Sequence, residues 1–346
     1  MNKNDAMVES MRINFRPIFV TTLTTVLGFL SLNFSDAPPF HDLGNIASIG
    51  VAAAFVFSIT FLPAAISILP SKGRREVAGK QIMTKFGEFV IARQKTILVA
   101  NGLIIVGLAA VVPMNELNDE FVKYFDESIE FRRDSDYAAE YLTGVYYIDY
   151  ALGTGDSGGI SDPNYLADVE KFAQYLRSQP EVIHVQTITD TFKRLNKNMH
   201  GDDPGYYRLP EERNLAAQYL LLYEMSLPYG LDLNNQIDID KAATKIAVTM
   251  QTLSSNEVIT FDNAAHAWLA ENTPSIEPYA SSPTLMFAHL GKRNINSMLT
   301  GTSIALILIS ATLIFFLGSL KHGFISLLPN LTPALAAFGI WGLTVG

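Results

Sequence analysis

Five long stretches of this chain contain no charged residue and no histidine. They cover residues 17–35, 43–71, 96–115, 294–320 and 323–346. About 20 apolar residues are enough for a helix across a hydrocarbon core of about 30 Å. The pattern therefore predicts a membrane α-helical bundle of five transmembrane helices, with three helices before a long central block and two after it.

Charge divides the chain in the same way. Residues 114–293 contain 28 acidic and 14 basic residues, whereas the rest contains 6 acidic and 11 basic ones. Basic residues in short segments at span ends favour the cytoplasmic side. The loop 36–42 has two acids and no Lys or Arg. We therefore expect the N-terminus inside and the central block outside. Its acidity also argues against nucleic acid as a partner.

These patterns predict six segments. They are an amphipathic cytoplasmic segment (1–16), a transmembrane hairpin (17–71), a basic cytoplasmic linker (72–94), a transmembrane helix (95–115), an outer domain (116–293) and a second transmembrane hairpin (294–346). Met7, Met11 and Phe15 recur at four-residue spacing, which predicts a helix on the membrane surface. The linker is expected to lie on the inner leaflet. Gly346 ends within an apolar helix, so we expect a piece of a longer protein.

The central block alternates strand and helix patterns, which predicts one α+β domain made of two β-α-β units. The first unit has strands at 145–152 and 182–188 around a helix at 165–178. The second has strands at 245–253 and 275–280 around a helix at 257–271. Between the units, Pro210 is predicted to begin a helix that runs to about residue 225.

Two features mark the first hairpin. Pro17 is expected at the first helical position, and Thr21, Thr24, Thr25 and Gly28 share one face of the helix after it. That face has two interpretations, a surface that lines a substrate path or plain helix packing through small residues. Pro63 is expected to kink the last turns of the second span.

No catalytic, metal or cofactor site is predicted. The string Gly155-Asp-Ser-Gly-Gly copies the surroundings of a serine-protease nucleophile, but the one upstream histidine, His41, lies beyond two spans. A glycine-rich turn is the simpler interpretation. The remaining histidines lack metal-ligand spacing, and Asp202 and Asp203 fit a solvated loop. We therefore expect that the protein is not an enzyme.

Several strings in the ends of the chain resemble a known family. They are Pro17-x-x-x-Thr-Thr-Leu-Thr-Thr-x-x-Gly-Phe-Leu-Ser-Leu, Ser35-Asp-x-Pro-Pro, Leu43-Gly, Leu62-Pro-Ala, Asn118-Asp-Glu-Phe-Val-Lys-Tyr-Phe-Asp and Leu328-Pro-Asn. Together they resemble helices five, six and nine and the start of the second periplasmic domain in exporters of the resistance-nodulation-division (RND) superfamily. The branch they resemble is the MMPL-like, sterol-sensing-related one.

The resemblance implies a ferredoxin-like, porter-type domain on the periplasmic side of a bacterial inner (plasma) membrane. It further implies proton-driven export of hydrophobic or amphiphilic molecules, with the bilayer, a lipid or small-molecule substrate and a homo-oligomer as partners. The family's proton-relay acids belong to helices four and ten, so the remaining helices of the same transporter would supply them. The alternative is a sterol-sensing-like protein that binds or senses a lipid without pumping.

Overall fold

The computed structural model describes residues 3–69, 80–115, 118–228 and 232–344. They form two compact units, residues 1–117 with 293–346, and residues 118–292. The helices are α1 (Lys3–Leu30), α2 (Pro38–Ile59), α3 (Phe61–Ile68), α4 (Lys80–Ala92), α5 (Gln94–Val111), α6 (Glu130–Tyr141), α7 (Pro163–Arg177), α8 (Ile188–Met199), α9 (Arg213–Ser226), α10 (Ser255–Asn272), α11 (Pro283–Leu317) and α12 (Leu320–Thr344). The strands are β1 (Tyr146–Gly153), β2 (Val182–Gln186), β3 (Ala243–Met250) and β4 (Glu277–Ser281).

The five predicted spans are present as helices. Within the described residues, five helical stretches are long and apolar enough to cross a membrane: Asn4–Phe34, Pro38–Ile68, Gln94–Met114, Pro283–Leu317 and Leu320–Thr344. A helix satisfies its backbone hydrogen bonds internally, which a lipid environment requires. The sequence prediction of a membrane helical bundle joined to a sheet domain is confirmed at this level.

The start of α1 differs from the prediction. Residues 3–16 do not form a separate surface helix, because α1 runs unbroken from Lys3 to Leu30 with Pro17 inside it. Pro17 is therefore not at the first helical position. Proline removes only one backbone hydrogen bond, and continuing the helix satisfies the other backbone groups of the segment.

Glycines set how closely the membrane helices approach. A Cβ on Gly44 of α2 would lie 2.7 Å from the carbonyl oxygen of Phe29 in α1. A Cβ on Gly301 of α11 would lie 2.7 Å from the carbonyl oxygen of Ser31, and one on Gly339 of α12 would lie 2.5 Å from that of Leu108 in α5. Each of these contacts is with backbone, which cannot swing aside. In lipid, the hydrophobic effect does not drive helices together. Small residues of this kind instead let the helices pack closely enough for van der Waals contact between their backbones.

Replacing Gly339 by alanine should therefore destabilise the α5–α12 pair. Overpacking of this kind costs about 1–3 kcal/mol. Gly107→Ala, on α5, is the matched control, because a Cβ there meets nothing within 4 Å. Both changes raise helix propensity similarly. In detergent we expect a lower thermal unfolding midpoint for Gly339→Ala alone; equal midpoints for the two variants would disprove this account of the packing.

The second unit contains a four-stranded sheet in the order β2-β3-β1-β4, with every neighbouring pair antiparallel. Helix α7 follows β1 and leads to β2, and α10 follows β3 and leads to β4. The two predicted β-α-β units therefore share one sheet, because β3 lies between β1 and β2. In β1 and β3 every second residue is buried, which is the period expected when helices cover one face of a sheet.

Local sequence explains where these helices begin. The carboxylate of Asp162 accepts hydrogen bonds from the backbone N–H groups of Asn164 and Tyr165, at the start of α7. Ser254 and Glu257 form a reciprocal capping box at the start of α10. Such caps satisfy N–H groups that have no partner inside the helix. The inward faces of α7 and α10 then bury Phe172 and Leu269 against the sheet.

Most predicted bounds in this unit are shifted by a few residues, and three larger details also differ from the prediction. The second strand ends at Gln186 rather than Ile188, because Thr187 caps a further helix, α8, that the prediction lacks. Helix α9 begins at Arg213, so Pro210 precedes it and is not its first residue. Helix α6 is also absent from the prediction; its mean hydropathy is low and only Ser135 in it is buried.

One polar contact crosses the core of this unit. The hydroxyl of Tyr150, a fully buried residue of β1, donates to Asp262 Oδ1 on α10 across 3.1 Å. Burial, followed by the charge of Asp262, raises the pKa of Tyr150. The neutral phenol is thus favoured in the folded state. Its stabilising contribution is complete below the ordinary tyrosine pKa of about 10 and is lost only as the pH rises above it.

Tyr150→Phe should destabilise the second unit, because Asp262 would lose the hydroxyl that donates to it inside the core. A buried polar group left unpaired costs about 1–3 kcal/mol. Tyr147→Phe, on the exposed side of the same strand, serves as control. Denaturant titration monitored by the fluorescence of Trp268 should show a lower midpoint for the first variant. Stability equal to that of Tyr147→Phe would refute the proposed role of the hydroxyl.

Candidate functional site

The threonines of the α1 face use their hydroxyls within the helix. Thr24 Oγ1 donates to the carbonyl oxygens of Val20 and Thr21 at 3.0 and 2.9 Å, and Thr25 Oγ1 donates to that of Thr21 at 2.8 Å. This is the usual way for threonine to satisfy its hydroxyl in an apolar helix. The hydroxyl protons of Thr24 and Thr25 are consequently engaged already.

Gly28 makes no close contact with a neighbouring helix. A Cβ at this position would meet nothing within 4 Å, in contrast to Gly44 on α2, which meets Phe29 of α1, and Gly301 on α11, which meets Ser31 just beyond the end of α1. Packing and substrate lining therefore both stay predictions for the α1 face. The glycines that make close contacts lie on the neighbouring helices, and they meet backbone at Phe29 and Ser31, so the α1 sequence alone carries no sign of them.

The second span is interrupted three residues before Pro63. Helix α2 ends at Ile59, Thr60 lies between the two helices, and α3 begins at Phe61. Proline has no N–H to donate to the carbonyl oxygen of Ile59, so the segment lacks that helical bond. The N–H and the hydroxyl of Thr60 both donate to the carbonyl oxygen of Val56, at 3.0 and 2.6 Å. The break at Thr60 is therefore local, and a kink at Pro63 stays a prediction.

An apolar cleft of about 220 Å³ lies beside this break, between α1 and the α2–α3 segment. We call it the hairpin cleft. Its walls are Met7, Ser10, Met11, Asn14, Phe15 and Ile18 from α1, and Ser58, Ile59, Leu62, Pro63 and Ile66 from the other segment. Of the positions predicted from the sequence, Pro63 lines it, whereas Pro17, Thr21, Thr24, Thr25 and Gly28 do not.

The chemistry of the hairpin cleft is apolar with a small polar share. None of its wall residues has a titratable side chain. Asn14 Nδ2 donates to the carbonyl oxygen of Ser10 at 2.8 Å, so part of the polar wall is already satisfied. Methionines such as Met7 and Met11 adapt their shape to irregular apolar partners. A cleft of this kind suits the apolar part of an uncharged or amphiphilic molecule and offers no general acid or base.

Aromatic rings support one side of the hairpin cleft. The ring of Phe15, which lines the cleft, lies 5.9 Å from Phe55 on α2, and Phe19 lies 5.6 Å from Phe55 and 5.8 Å from Phe316 on α11. Edge-to-face pairs at such distances are favourable. The guanidinium of Arg16 lies 6.0 Å from the centre of the Phe316 ring and donates to its carbonyl oxygen. These contacts join α1, α2 and α11 next to the cleft.

The residues of the serine-protease-like string form a turn. Gly155 and Gly158 have φ values of 79° and 69°, which L side chains rarely adopt. Ser157 Oγ donates to the carbonyl oxygen of Asp240 at 3.1 Å. A hydroxyl that donates to a backbone carbonyl is not oriented by a histidine, as a nucleophilic serine would be.

In the second unit, one polar loop and one cavity have internally paired side chains. Asp203 accepts from the N–H of Gly205 at 2.8 Å, and His200 stacks on Tyr206. A cavity of about 270 Å³ contains the ion pair of Lys241 with Glu224, 2.7 Å apart. Within the described ranges, no three His, Cys, Asp or Glu side chains are grouped so that they could hold a metal ion.

The fold and the hairpin cleft define a class, a multi-pass membrane protein with an apolar cleft between membrane helices and an α+β domain between its third and fourth spans. Residues 1–96 match the sequence model of the MMPL family. The resemblance to MMPL-like exporters is thereby confirmed. The matched residues include every residue that lines the hairpin cleft.

Known relatives are transport proteins. The sulfolipid-1 exporter MmpL8 of Mycobacterium tuberculosis (strain ATCC 25618 / H37Rv) is 27% identical over 194 residues, 54% of this chain and 18% of that protein. The hopanoid transporter HpnN of Rhodopseudomonas palustris (strain TIE-1) is 31% identical over 104 residues, 30% of this chain and 12% of that protein. The probable transport protein MmpL10 of Mycobacterium leprae (strain TN) is 26% identical over 190 residues. The chain thus spans less than a fifth of the length of the curated relatives it matches.

A bulky residue in the wall should close the hairpin cleft. Met11→Trp places an indole inside it, whereas Ile13→Trp on the other side of α1, where Ile13 is 59% exposed, leaves it open. We expect a photoactivatable fatty alcohol to label wall residues several-fold less in Met11→Trp than in the control, as read by mass spectrometry of peptides. Equal labelling of the wall in both variants would show that the cleft does not hold the probe.

Proposed function

We propose that this chain is part of an MMPL-type membrane transporter that exports hydrophobic or amphiphilic molecules, and that the hairpin cleft contacts the apolar part of the cargo. The observation that carries the proposal is that the MMPL match contains both walls of the cleft. The relatives named as sulfolipid and hopanoid transporters handle molecules of this class. The uncharged walls and the methionines at the cleft fit such cargo.

The architecture of the transporter is part of the proposal. Two β-α-β units that share an antiparallel sheet in the order β2-β3-β1-β4 support a ferredoxin-like, porter-type domain. We assign it to residues 116–293, on the periplasmic side of a bacterial inner membrane, in keeping with the acidity of this block. The segments 17–71, 72–94, 95–115 and 294–346 keep their predicted places, and residues 1–16 become the cytoplasmic start of α1 in this proposal. Pro17, Thr21, Thr24, Thr25, Gly28 and Pro63 remain the proposed motif positions.

Energy coupling is assigned to other helices of the transporter. The five uncharged stretches offer no carboxylate within the membrane, and such carboxylates are what proton relays use. We propose that proton-driven export requires further helices of the same transporter that carry them. Substrate contact and proton coupling would then belong to different parts of the transporter.

A lipid-binding sensor without pumping is the competing function, and it predicts the same cleft occupancy. The two functions differ in whether the ligand is carried across the membrane. A sensor retains its lipid, whereas an exporter releases it across the membrane once the coupling helices are present. Binding and release therefore have to be measured separately.

The test uses the chain in nanodiscs with the uncharged amphiphilic dye Nile red. We expect saturable binding that Met11→Trp weakens at least tenfold and Ile13→Trp leaves unchanged. Proteoliposomes that carry a pH gradient then report movement of the dye. Gradient-driven movement by the chain alone would contradict the assignment of proton coupling to other helices. If both variants bind the dye as the unchanged chain does, the cleft is not part of the substrate path. Binding without release in the complete transporter would favour the sensor.

A further inference from the structure

Helix α4 directly precedes a candidate membrane span. It ends at Ala92, a single residue, Arg93, separates it from α5, and α5 begins the candidate span at Gln94. The backbone hydrogen bonds continue through the junction, since the N–H of Arg93 donates to the carbonyl oxygen of Phe89 and the N–H of Ile97 donates to that of Arg93. The junction therefore leaves one residue between α4 and the candidate span.

One face of α4 is apolar and open. Met83, Phe86 and Phe89 follow one another at intervals of three residues and are 72%, 62% and 51% exposed. This spacing places them on the same side of the helix. Glu88 lies on the opposite side, and Lys85, four residues before Phe89, lies where the polar side meets the stripe. An exposed apolar stripe opposite a polar one is the pattern of a helix that lies in a membrane interface.

Three cations accompany this stripe. They are Lys85 at the edge of the polar side of α4, Arg93 in the junction and Lys95 in the first turn of α5, and none of them forms an ion pair with a carboxylate among the described residues. The guanidinium of Arg93 lies 5.5 Å from the centre of the Phe89 ring. A cation over a ring places positive charge at the edge of the apolar stripe, at the level where lipid headgroups lie.

We propose that α4 and the α4–α5 junction bind anionic phospholipid headgroups at the membrane surface. Met83, Phe86 and Phe89 insert at the boundary of the acyl chains, and Lys85, Arg93 and Lys95 bind the headgroup phosphates. Charge complementarity selects an anionic lipid surface over another protein as the occupant of the stripe. The continuity of α4 with a membrane span points to the same occupant.

The chain has no cysteine, so single cysteines can carry a fluorophore at chosen positions of the whole protein. Phe86→Cys reports the apolar stripe and Glu88→Cys reports the opposite side. Both variants are reconstituted in vesicles of phosphatidylcholine alone and of phosphatidylcholine with an equal part of phosphatidylglycerol. Lipids with a nitroxide on the acyl chain then quench a label that enters the membrane.

We expect the label at position 86 to be quenched several-fold more than the label at position 88, and more strongly in the vesicles that contain phosphatidylglycerol. Changing Lys85, Arg93 and Lys95 to glutamine should abolish the dependence on phosphatidylglycerol. The control changes Lys123, Lys171 and Arg208 to glutamine, three exposed cations of the other unit, and should leave the dependence intact.

Three outcomes would overturn the proposal. Equal quenching at positions 86 and 88 would show that the stripe does not face lipid. A label at position 86 that is shielded in both kinds of vesicle would show that protein, such as a second copy of the chain, covers the stripe. Quenching that is the same with and without phosphatidylglycerol would show that the cations do not select anionic headgroups.

Discussion

The membrane helices of this protein associate without the hydrophobic effect, which drives the folding of its second unit. Lipid tails are as apolar as the side chains, so burying Leu or Ile between helices gains little. The remaining stabilising interactions are van der Waals contacts between closely packed helices and backbone hydrogen bonds within each helix. The close approaches at Gly44, Gly301 and Gly339, each to a carbonyl oxygen of a neighbouring helix, are therefore central to the arrangement. The second unit, by contrast, buries a sheet face under α7 and α10 in the manner of a water-soluble domain.

The same constraint explains why a cleft exists at the first hairpin. Close contact between α1 and α2 is set near Gly44, towards the start of α2. At the other end of α2 the helix breaks at Thr60, three residues before Pro63, whose ring removes one backbone hydrogen bond. The space left beside the break is lined by flexible side chains such as Met7 and Met11. A tight contact at one end and a broken helix at the other are together sufficient to open an apolar cleft.

The sequence is informative where one physical signal dominates. Uncharged stretches of about 20 residues predicted all five spans, because in lipid the helix is the only such segment that satisfies its own backbone. Alternation in β1 and β3 predicted the strands of the sheet. Helix α8 was missed although Ile188 and Phe192 are spaced for one buried face, because the neighbouring strand pattern was extended over its first residue. Pro17 was misplaced because a proline permitted at a helix start is also tolerated inside a membrane helix.

The hairpin cleft could not be predicted from the sequence, because its shape depends on contacts between helices. Its walls come from two separate helical segments, and none of the lining residues is charged. Apolar walls are recognised by shape, and shape depends on where α1 and α2 touch. That contact in turn depends on Gly44 meeting the backbone of Phe29, to which the side chain of Phe29 contributes nothing. Pro63 was predicted to disturb the helix, but whether the disturbance creates a cleft or merely a bend is decided by the neighbouring helix. Under the proposed function, an uncharged cleft with such walls would discriminate between cargo molecules by size and apolar surface rather than by charge, and exchange of a few wall residues would change the preferred cargo without altering the fold.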